Sequence, residues 1–408
     1  MSEIIGKAYR ENYEGLMGAL RNERIMIALE RARAAYRQNL SKTLAKYPHT
    51  IALADEVRKI KEHSVDNWEG LLKEAMDNVV ENKGQAYFAR TADEARRIVG
   101  EIVGSKKVLV KAKSMTCEEI DLRQHLQELG NEVWETDLGE LIVQLRGEGP
   151  MHILSPAVHV PKEDVAVLFS KVMGKEVPPD IALEVAAARE FLRQRYVEAD
   201  VGISGANIVS ADTGSLFVIE NEGNARLVTG LPPVHIAVVG IEKLVATLAE
   251  SFKVAEVTWR YAQYAVPSYL NVISGPSKTG DIEKTTTYGA HGPKEMHVVF
   301  MDNGRSEMAK DPVLRQALYC LRCGGCMYEC PVFALVGGKF GYKYFIGYGA
   351  AWTAHVASLA RAAPVAYTCL RCGRCVERCP VKIDTGSIIA HMRGLLVEGY
   401  DRFGEPKL

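Results

Sequence analysis

The chain lacks the features that mark membrane-spanning, secreted and nucleic-acid-binding proteins. Its 408 residues contain no uninterrupted apolar run of about eighteen residues, the length that spans a bilayer. The N-terminal stretch MSEIIGKAYRENYEG lacks the apolar core of a signal peptide. Fifty Lys and Arg residues face 51 Asp and Glu residues, so the net charge of -1 gives no electrostatic case for nucleic acid as a partner. We therefore expect a cytoplasmic protein without a transmembrane segment, with peripheral membrane association left open.

Two nucleotide-binding motifs are also missing. No G-x-G-x-x-G follows a strand-like run, so nicotinamide binding has no support in the sequence. The stretch GPSKTG contains a lysine, but Ser277 precedes Lys278 where a phosphate loop has glycine. Nucleotide binding through this stretch is therefore not expected.

Cysteine is rare until the C-terminal part of the chain. Eight of the nine cysteines lie between Cys320 and Cys379, in two runs that both read C-x2-C-x2-C-x3-C-P. Such clustering predicts metal binding rather than disulfides. The ninth, Cys117, is interpreted as a buried or helix-capping thiol rather than a nucleophile.

The spacing of both runs is that of two-cluster ferredoxins. Two-residue gaps let three thiolates of one loop reach one cubane, whereas the proline after the fourth cysteine redirects the chain toward the other cluster. Structural zinc is the alternative, but zinc does not explain the repeated third cysteine or the Cys-Pro ends. We predict two [4Fe-4S] clusters, the first held by Cys320, Cys323, Cys326 and Cys379 and the second by Cys369, Cys372, Cys375 and Cys330.

Three arginines lie inside the cysteine runs: Arg322, Arg371 and Arg374. They could offset the negative charge of the clusters or meet an acidic partner protein. Equally, they could be ordinary solvated loop residues, since exposed charges cost little. The sequence leaves both interpretations open.

The rest of the chain divides by its periodicity. Residues 1–84 carry apolar residues at helical spacing and predict a helical N-terminal arm. Over residues 85–304, strand-like runs such as KVLVKA, NEVWET, MHILS, ARLVTG and VHIAVVG alternate with helical stretches, and some of the later strands are expected to be antiparallel. Residues 305–408 hold the cysteine runs between helix-like segments. The expected fold class is α/β, with a helical arm and a C-terminal α-helical ferredoxin module.

Polar side chains in the middle region suggest a binding site. Asp137 and Glu140 follow the strand-like NEVWET, so their carboxyl groups would share a helix face at the end of a strand, where open α/β sheets bind ligands. The alternative is that Asp137 caps the helix and Glu140 completes a capping arrangement.

A second polar group surrounds a predicted turn between strands. Its members are Asn207, Asp212, Thr213, Gly214, Glu220, Asn224 and Arg226. Arg226 is the best candidate to clamp a carboxylate, because a guanidinium fork matches two carboxylate oxygens. The alternative is ordinary turn chemistry, with Arg226 paired to Glu220 or Glu222.

Several segments of the middle region carry a family resemblance. They are KSMTCEEI from Lys113, ETDLGE from Glu135, the stretch from Gly202 to Ile236, GPSKTGDIE from Gly275 and GAHGPKE from Gly289. In this order, and followed by the cysteine runs, they resemble the iron-sulfur subunit of the lactate-utilization protein family. The resemblance covers roughly residues 50–395, and its specificity lies in the combination of motifs.

The resemblance implies a fold and a function. The middle domain would have the fold of sugar-phosphate isomerases and coenzyme A transferases. The chain would be an electron-transfer subunit of an oxidoreductase complex that oxidises L-lactate, or a related 2-hydroxy acid, to pyruvate. Its partners would be the other subunits of that complex and its electron donor and acceptor proteins.

The oxidation of a 2-hydroxy acid requires a base, and His159, His235 and His291 are available, although a single histidine is more often structural. The candidate catalytic residues are Asp137, Glu140, Asn207, Asp212, Glu220, Arg226 and His291. Two alternatives stay open. One is a self-sufficient isomerase- or transferase-like enzyme with accessory clusters, and the other is a relay or adaptor subunit of another dehydrogenase or disulfide-reductase complex.

Overall fold

A computed structural model describes residues 3–399 of the chain. The N-terminal part forms four helices: α1 (Glu3–Leu20), α2 (Glu23–Lys46), α3 (His49–Asp66) and α4 (Trp68–Glu81). In α2 the buried side chains follow one another at three-, four- and seven-residue spacing, as one face of a helix requires. Within residues 3–399, none of the helices combines the length and apolarity that crossing a membrane demands.

The middle region alternates strands with helices. Its elements are β1 (Gln85–Ala89), α5 (Ala92–Val103), β2 (Val108–Lys111), α6 (Met115–Glu119), α7 (Leu122–Glu128), β3 (Glu132–Glu135), α8 (Leu138–Arg146), α9 (Lys162–Met173), α10 (Ile181–Glu198), β4 (Val201–Ser204), β5 (Ile208–Ser210), β6 (Ser215–Glu220), α11 (Asn224–Gly230), β7 (Val234–Gly240), β8 (Leu244–Val245), α12 (Leu248–Tyr261), β9 (Tyr269–Ile273), β10 (Lys278–Thr279), β11 (Thr287–Tyr288) and β12 (Glu295–Met301).

The C-terminal part is helical, as predicted. Its elements are α13 (Arg305–Lys310), α14 (Gly325–Glu329), α15 (Phe333–Val336), α16 (Gly349–Val356), α17 (Leu359–Thr368), α18 (Arg374–Arg378) and α19 (Thr385–Gly399), with short 3-10 turns at Leu314–Tyr319 and Gly337–Lys339. The N-terminal helices pack on it and on the middle region: α1 lies against α17, α2 against α14 and α15, and α3 against α12. They are therefore folded onto the rest of the chain.

Six strands form one parallel sheet in the order β1-β12-β7-β4-β2-β3. After β2 the next strand of the sheet, β3, lies on the side of β2 that faces away from β4. After β4 the next strand of this sheet, β7, lies on the side of β4 that faces away from β2. The carboxyl ends of β2 and β4 are therefore the topological switch point of the sheet. In open α/β sheets, ligands bind in the crevice at such a point.

A second sheet has the order β8-β5-β6-β9. In it β6 runs antiparallel to both β5 and β9. This confirms the expectation that some later strands are antiparallel. Helix α12 packs against β5 and β6 of this sheet. Residues of β6 and α12 lie beside the crevice at the end of β4.

Two predicted strands are wrong. MHILS adopts bends, because the His152 ring stacks on Tyr328 with centroids 4.3 Å apart and its Nδ1 accepts the Leu154 N–H at 3.0 Å. ARLVTG lies in α11, because the Glu220 carboxylate accepts the N–H groups of Ala225 at 2.8 Å and Arg226 at 2.9 Å. A buried carboxylate at the first turn satisfies helix N–H groups that a strand would pair with a neighbour.

Candidate metal centre and adjoining cavities

The eight clustered cysteines line two small cavities inside the C-terminal part. One cavity is lined by Cys320, Cys323, Cys326 and Cys379, and the other by Cys330, Cys369 and Cys372. Cys375 lines both. Three cysteines of each run therefore face one cavity, while the fourth reaches the cavity of the other run.

The backbone of the two runs is nearly the same. Arg322 and Arg371 have φ angles of 61° and 53°, in the left-handed region. The Arg322 N–H lies 3.4 Å from the Cys320 sulfur, and the Arg371 N–H lies 3.5 Å from the Cys369 sulfur. Backbone N–H groups beside sulfur stabilise negative charge there, as in iron-sulfur proteins.

The chemistry of the cysteines fits iron-sulfur clusters. All eight are free thiols in the described part of the chain. Burial raises the pKa of Cys323 to about 12 and the pKa of Cys330 and Cys379 to about 11. A bare thiolate would be unfavourable in such surroundings, so the positive charge of bound iron is what would hold these sulfurs deprotonated.

A cavity of about 250 Å³ adjoins the first cysteine site, and we call it the switch-point cavity. Residues 112–116, which follow β2, and residues 204–207, at the end of β4, form its floor. Cys323 and Arg322 lie in its wall. The cavity therefore occupies the topological switch point and shares a wall with the first cysteine site.

Three cationic side chains line the switch-point cavity: Lys113, Lys243 and Arg322. Lys113 Nζ donates to Asp137 Oδ2 at 2.6 Å and to the Leu154 carbonyl at 3.1 Å. Charge-assisted donors of this kind are suited to a carboxylate ligand. The same lining holds three carboxylates, those of Asp137, Glu220 and Glu222, so the cavity combines three cationic side chains with three acidic ones.

Arg322 is held by aromatic rings. Its guanidinium carbon lies 4.4 Å from the ring centroids of both Tyr344 and Trp352, and Nη1 donates to the Tyr348 hydroxyl at 3.3 Å. Stacked and buried, this cation is fixed next to the first cysteine loop. The structure therefore excludes the interpretation of Arg322 as an ordinary solvated loop residue and leaves the interpretation that it offsets cluster charge.

A buried ion-pair network ties the middle region to the C-terminal part. Arg305 donates to both oxygens of Glu119 at 2.9 Å and to Glu242, and the Tyr344 hydroxyl also donates to Glu119. Burial alone would raise the pKa of Glu242, but Arg305, Lys243 and Arg322 outweigh it and lower the pKa to about 2. The network therefore consists of charged groups that fix each other in place.

Four residues of the predicted polar groups line the switch-point cavity: Asp137, Asn207, Glu220 and Asn224. The first three also hold local backbone. Asp137 Oδ1 accepts the Glu140 N–H at 3.1 Å and caps α8, Asn207 Oδ1 accepts the Ile219 N–H at 2.9 Å, and Glu220 caps α11. The capping interpretation of Asp137 is therefore observed, and it places this carboxylate in the cavity wall at the same time.

Other predicted residues lie elsewhere. Arg226 is exposed, and its guanidinium carbon lies 4.0 Å from the centroid of the Tyr269 ring. Asp212 accepts the Leu248 N–H at 3.1 Å, at the start of α12, and His291 is exposed between β11 and β12. Arg226 therefore does not line the switch-point cavity, whose cationic side chains are the two lysines and Arg322.

The other two histidines are not in the described wall of the switch-point cavity, although the hydrogen-bond partner of His235, Ser204, is. His235 is buried with Nε2 2.8 Å from the Ser204 hydroxyl, and burial lowers its pKa to about 4. His159 lies at 3.0 Å from Glu148. Neither position supplies a base to the switch-point cavity.

Glu140 faces a different cavity, of about 650 Å³. Carboxylate oxygens of Glu118, Glu135 and Glu140 lie within 4.8 Å of one another. Lys111 Nζ, fully buried, donates to Glu135 at 2.9 Å and to Glu118 at 3.1 Å. Burial, with repulsion from the two neighbouring carboxylates, raises the pKa of Glu140 to about 8. Glu140 is therefore a buried acid that holds its proton near neutral pH.

Sequence reasoning singled out Arg322 but missed the other cationic groups. Lys113 and Lys243 follow the strands β2 and β7 by two or three residues, and that position at a strand end is the signal that could have identified them. Arg305 and Glu119 carry no local signal, because their pairing joins segments separated by 186 residues.

A parallel α/β domain whose switch-point cavity abuts a cysteine site in a helical module defines an iron-sulfur protein. Comparison with family models agrees. The LUD domain model matches residues 72–301, and the 4Fe-4S dicluster domain model matches residues 316–383. The chain belongs to the LUD-domain family and carries a 4Fe-4S dicluster domain.

Similar curated proteins cover most of the chain. Lactate utilization protein B of Shouchella clausii is 38% identical over 80% of this chain and 66% of its own length. The same-named protein of Anoxybacillus flavithermus is 36% identical over 82% of this chain and 69% of its own length. The uncharacterized electron transport protein YkgF of Escherichia coli is 34% identical over 79% of this chain and 65% of its own length. The chain thus spans about two thirds of the length of these relatives.

One solved structure also aligns. The DUF162 family protein of Deinococcus radiodurans is 13% identical, with a TM-score of 0.33, over 57% of this chain and 98% of that chain. A TM-score of this size does not establish a shared fold.

Proposed function

We propose that the chain is the iron-sulfur electron-transfer subunit of a multi-subunit complex that oxidises L-lactate, or a related 2-hydroxy acid, to pyruvate. The names of the relatives, lactate utilization protein B and an electron transport protein, support this proposal. So does the combination of a LUD domain with a 4Fe-4S dicluster domain in one chain.

The proposal includes two [4Fe-4S] clusters with crossed ligation. One cluster would be held by Cys320, Cys323, Cys326 and Cys379, and the other by Cys369, Cys372, Cys375 and Cys330. The grouping of the cysteines around two cavities supports this assignment. Such clusters, when bound, accept and release electrons one at a time.

The single observation that carries the proposal is the wall shared by the switch-point cavity and the first cysteine site. Cys323 and Arg322 belong to the cysteine run and also line the cavity. A molecule in the cavity would therefore lie beside the first proposed cluster. At about 250 Å³, the cavity is below the range of about 300–1,000 Å³ of drug-sized ligands and suits a small acid.

Lys113, Lys243 and Arg322 would bind the carboxylate of the 2-hydroxy acid. Asp137 orients Lys113 through their 2.6 Å hydrogen bond. Converting a 2-hydroxy acid to a 2-oxo acid releases two electrons and two protons, which matches two one-electron carriers. The Asp137 carboxylate is the acceptor nearest to Lys113 for one of those protons.

We also propose a division into a helical N-terminal part (1–84), a LUD domain (85–304) and a ferredoxin module (305–408), with the LUD domain sharing the fold of sugar-phosphate isomerases and coenzyme A transferases. The alternation of parallel strands and helices from β1 to β12 supports the middle boundary and the fold. The shift to helices from α13 onward supports the last boundary.

The test is reduction of the clusters by substrate. The complex is purified anaerobically through a tag on this chain, L-lactate is added, and the broad visible absorbance of the clusters is recorded. We expect bleaching with L-lactate and none with propionate, which lacks the hydroxyl group. Lys113→Ala should slow bleaching at least about tenfold, as loss of one charged hydrogen bond predicts, whereas Lys171→Ala on α9, exposed and outside the cavity, should not. Bleaching by dithionite but not by L-lactate would remove lactate from the proposal.

A second candidate is a relay subunit whose substrate is oxidised in a partner protein. It is favoured by the absence of histidine from the described wall of the switch-point cavity. Equilibrium binding of L-lactate to this chain alone distinguishes the two. Binding that Lys113→Ala weakens supports oxidation at this chain, and no binding supports the relay.

A further inference from the structure

The two cysteine runs share one sequence pattern but have opposite surroundings. Leu321 of the first run is 7% exposed, whereas Leu370, at the same place in the second run, is 65% exposed. Helix α14 of the first run buries four of its five residues, while every described side chain of α18, its counterpart, is at least partly exposed. One copy of the motif is covered by protein, and the other is open.

The cover of the first run comes from the chain itself. Arg33 Nε on α2 donates to the Tyr328 carbonyl at 2.8 Å, and Arg37 Nη2 donates to Glu329 at 2.8 Å. The His152 ring stacks on Tyr328 from the middle region. The first run is therefore an internal interface, built of ion pairs around buried aromatic side chains.

The second run presents a face of its own, which we call the open cysteine face. It consists of Tyr367, Leu370, Arg371, Cys372, Arg374 and Lys382, all exposed. Tyr367 and Leu370 are its apolar members, 48% and 65% exposed. Between residues 370 and 382 the exposed charges are three cationic side chains and one acidic side chain, Glu377, so the face is positive.

An apolar centre with a charged rim is the composition of transient protein interfaces, in which charge steers the encounter. Cys372 is the exposed cysteine of the eight, so its sulfur lies at this surface. A cluster bound there would be close to a protein docked on the face. The positive rim selects a partner with negative charge, because like charges would repel.

We propose that the open cysteine face docks an acidic one-electron carrier protein, which takes electrons from the second cluster. The inference rests on the proposed function for the direction of flow, from the switch-point cavity through the first site to the second. In each encounter one electron leaves the reduced cluster and reduces the carrier, and no bond forms or breaks. The partner would have a ring of carboxylates around an apolar patch that accepts Leu370.

The test uses defined probes with the cluster-containing full-length chain. A flavodoxin is the acidic one-electron probe, and cytochrome c is the basic one. Binding to the immobilised chain is measured at low and high salt, and electron transfer from the dithionite-reduced chain is followed by stopped flow. We expect flavodoxin to bind more tightly than cytochrome c and to lose affinity with salt.

Two variants and two matched controls locate the site. Arg374→Glu and Leu370→Ser should each weaken flavodoxin binding by about tenfold, as expected for residues near the centre of an interface. Lys171→Glu and Leu231→Ser, a charge reversal and an apolar loss at other exposed positions, should leave it unchanged. Unaltered visible absorbance in all four proteins would show that the variants keep their clusters.

Three outcomes would overturn the inference. Equal binding of both probes would remove the charge selection, and equal effects of variants and controls would place docking elsewhere. Sedimentation showing a dimer that Leu370→Ser dissociates would assign the face to a second copy of the chain. L-Lactate failing to bleach the clusters while flavodoxin still docks would refute the proposed function and leave the docking surface in place.

Discussion

At the scale of single residues, Glu140 is a buried carboxyl group whose protonation is controlled by the side chains around it. Its position after a strand-like run predicted only that its carboxyl group shares a helix face with that of Asp137 at the end of a strand. Its neighbours Glu135 and Glu118 come from other elements, and burial together with repulsion from these two carboxylates raises its pKa to about 8. Local pattern therefore identifies the residue, whereas its protonation depends on the tertiary fold.

The raised pKa of Glu140 predicts a pH dependence of stability. The folded-state pKa of about 8 exceeds the ordinary value of 4.5, so between these pH values the folded protein holds a proton that the unfolded chain releases. Stability should therefore fall as pH rises through this window, by up to about 1.4 kcal/mol per pH unit. Glu140→Gln should remove this contribution and melt at a higher temperature than the native chain at pH 8.

The measurement is the thermal unfolding temperature of the anaerobic protein between about pH 5 and pH 8. Glu128→Gln, at an exposed position on α7, is the control and should follow the native curve. Parallel curves for Glu140→Gln and the native chain would contradict the assignment of this proton to Glu140.

Arg305 gives a second prediction for a single residue. Its guanidinium neutralises two buried carboxylates, and removing one partner of such a pair leaves uncompensated charge. Arg305→Leu should cost about 3–5 kcal/mol. Lys310→Leu removes an exposed ion pair with Glu307 and should leave the stability close to that of the native chain. Denaturant unfolding of both variants compares the two, and similar losses would mean that the network contributes little.

At the scale of secondary structure, prediction succeeded where a segment has one periodicity and its own end signals. VHIAVVG coincides with β7 (Val234–Gly240). The prediction of a strand for ARLVTG was wrong because β-branched and apolar residues are common to strands and buried helices. The side chain that favours the helix, Glu220, lies before the segment. The residue pattern within a segment therefore cannot predict a helix whose capping side chain lies outside that segment.

The cap of α11 leads to a prediction at the same scale. Glu220→Ala should destabilise the protein by about 1–3 kcal/mol, because three hydrogen-bond donors lose their acceptor. These donors are the N–H groups of Ala225 and Arg226 and the side-chain amide of Asn271. Glu198→Ala, on the exposed side of α10, should stay within about 0.5 kcal/mol of the native chain. Unfolding free energies from denaturant titration test this, and equal values for the two variants would contradict the capping role.

At the scale of the whole molecule, the cysteine spacing predicted that the cysteines form two sites, because each cysteine loop is local. The protein that surrounds each site comes from distant segments, which the spacing does not indicate. The switch-point cavity combines side chains from Lys113 to Cys323, a separation that sequence pattern does not connect. The N-terminal helices were expected as an arm, yet α2 closes over the first cysteine run. Long-range packing, rather than secondary structure, is what sequence reasoning could not supply.

The cover provided by α2 predicts a change in oxygen sensitivity. Arg33→Ala combined with Arg37→Ala removes the hydrogen bonds to Tyr328 and Glu329 and should let oxygen reach the first cluster faster. Arg24→Ala combined with Arg31→Ala, at exposed positions of the same helix, is the matched control. The rate of visible bleaching in air measures the effect, and equal rates would show that these contacts do not protect the site.

The contrast between the covered and the open cysteine runs also sets an order of damage. Oxidants arriving from solvent meet Cys372 first, whereas the first run lies behind α2 and the middle region. With both proposed clusters bound, air exposure should therefore remove the one held by the open run first and leave the one beside the switch-point cavity. Such a protein would still accept an electron at the remaining cluster but would no longer pass it to a partner protein. Oxidative damage would therefore block electron release before it blocks electron uptake.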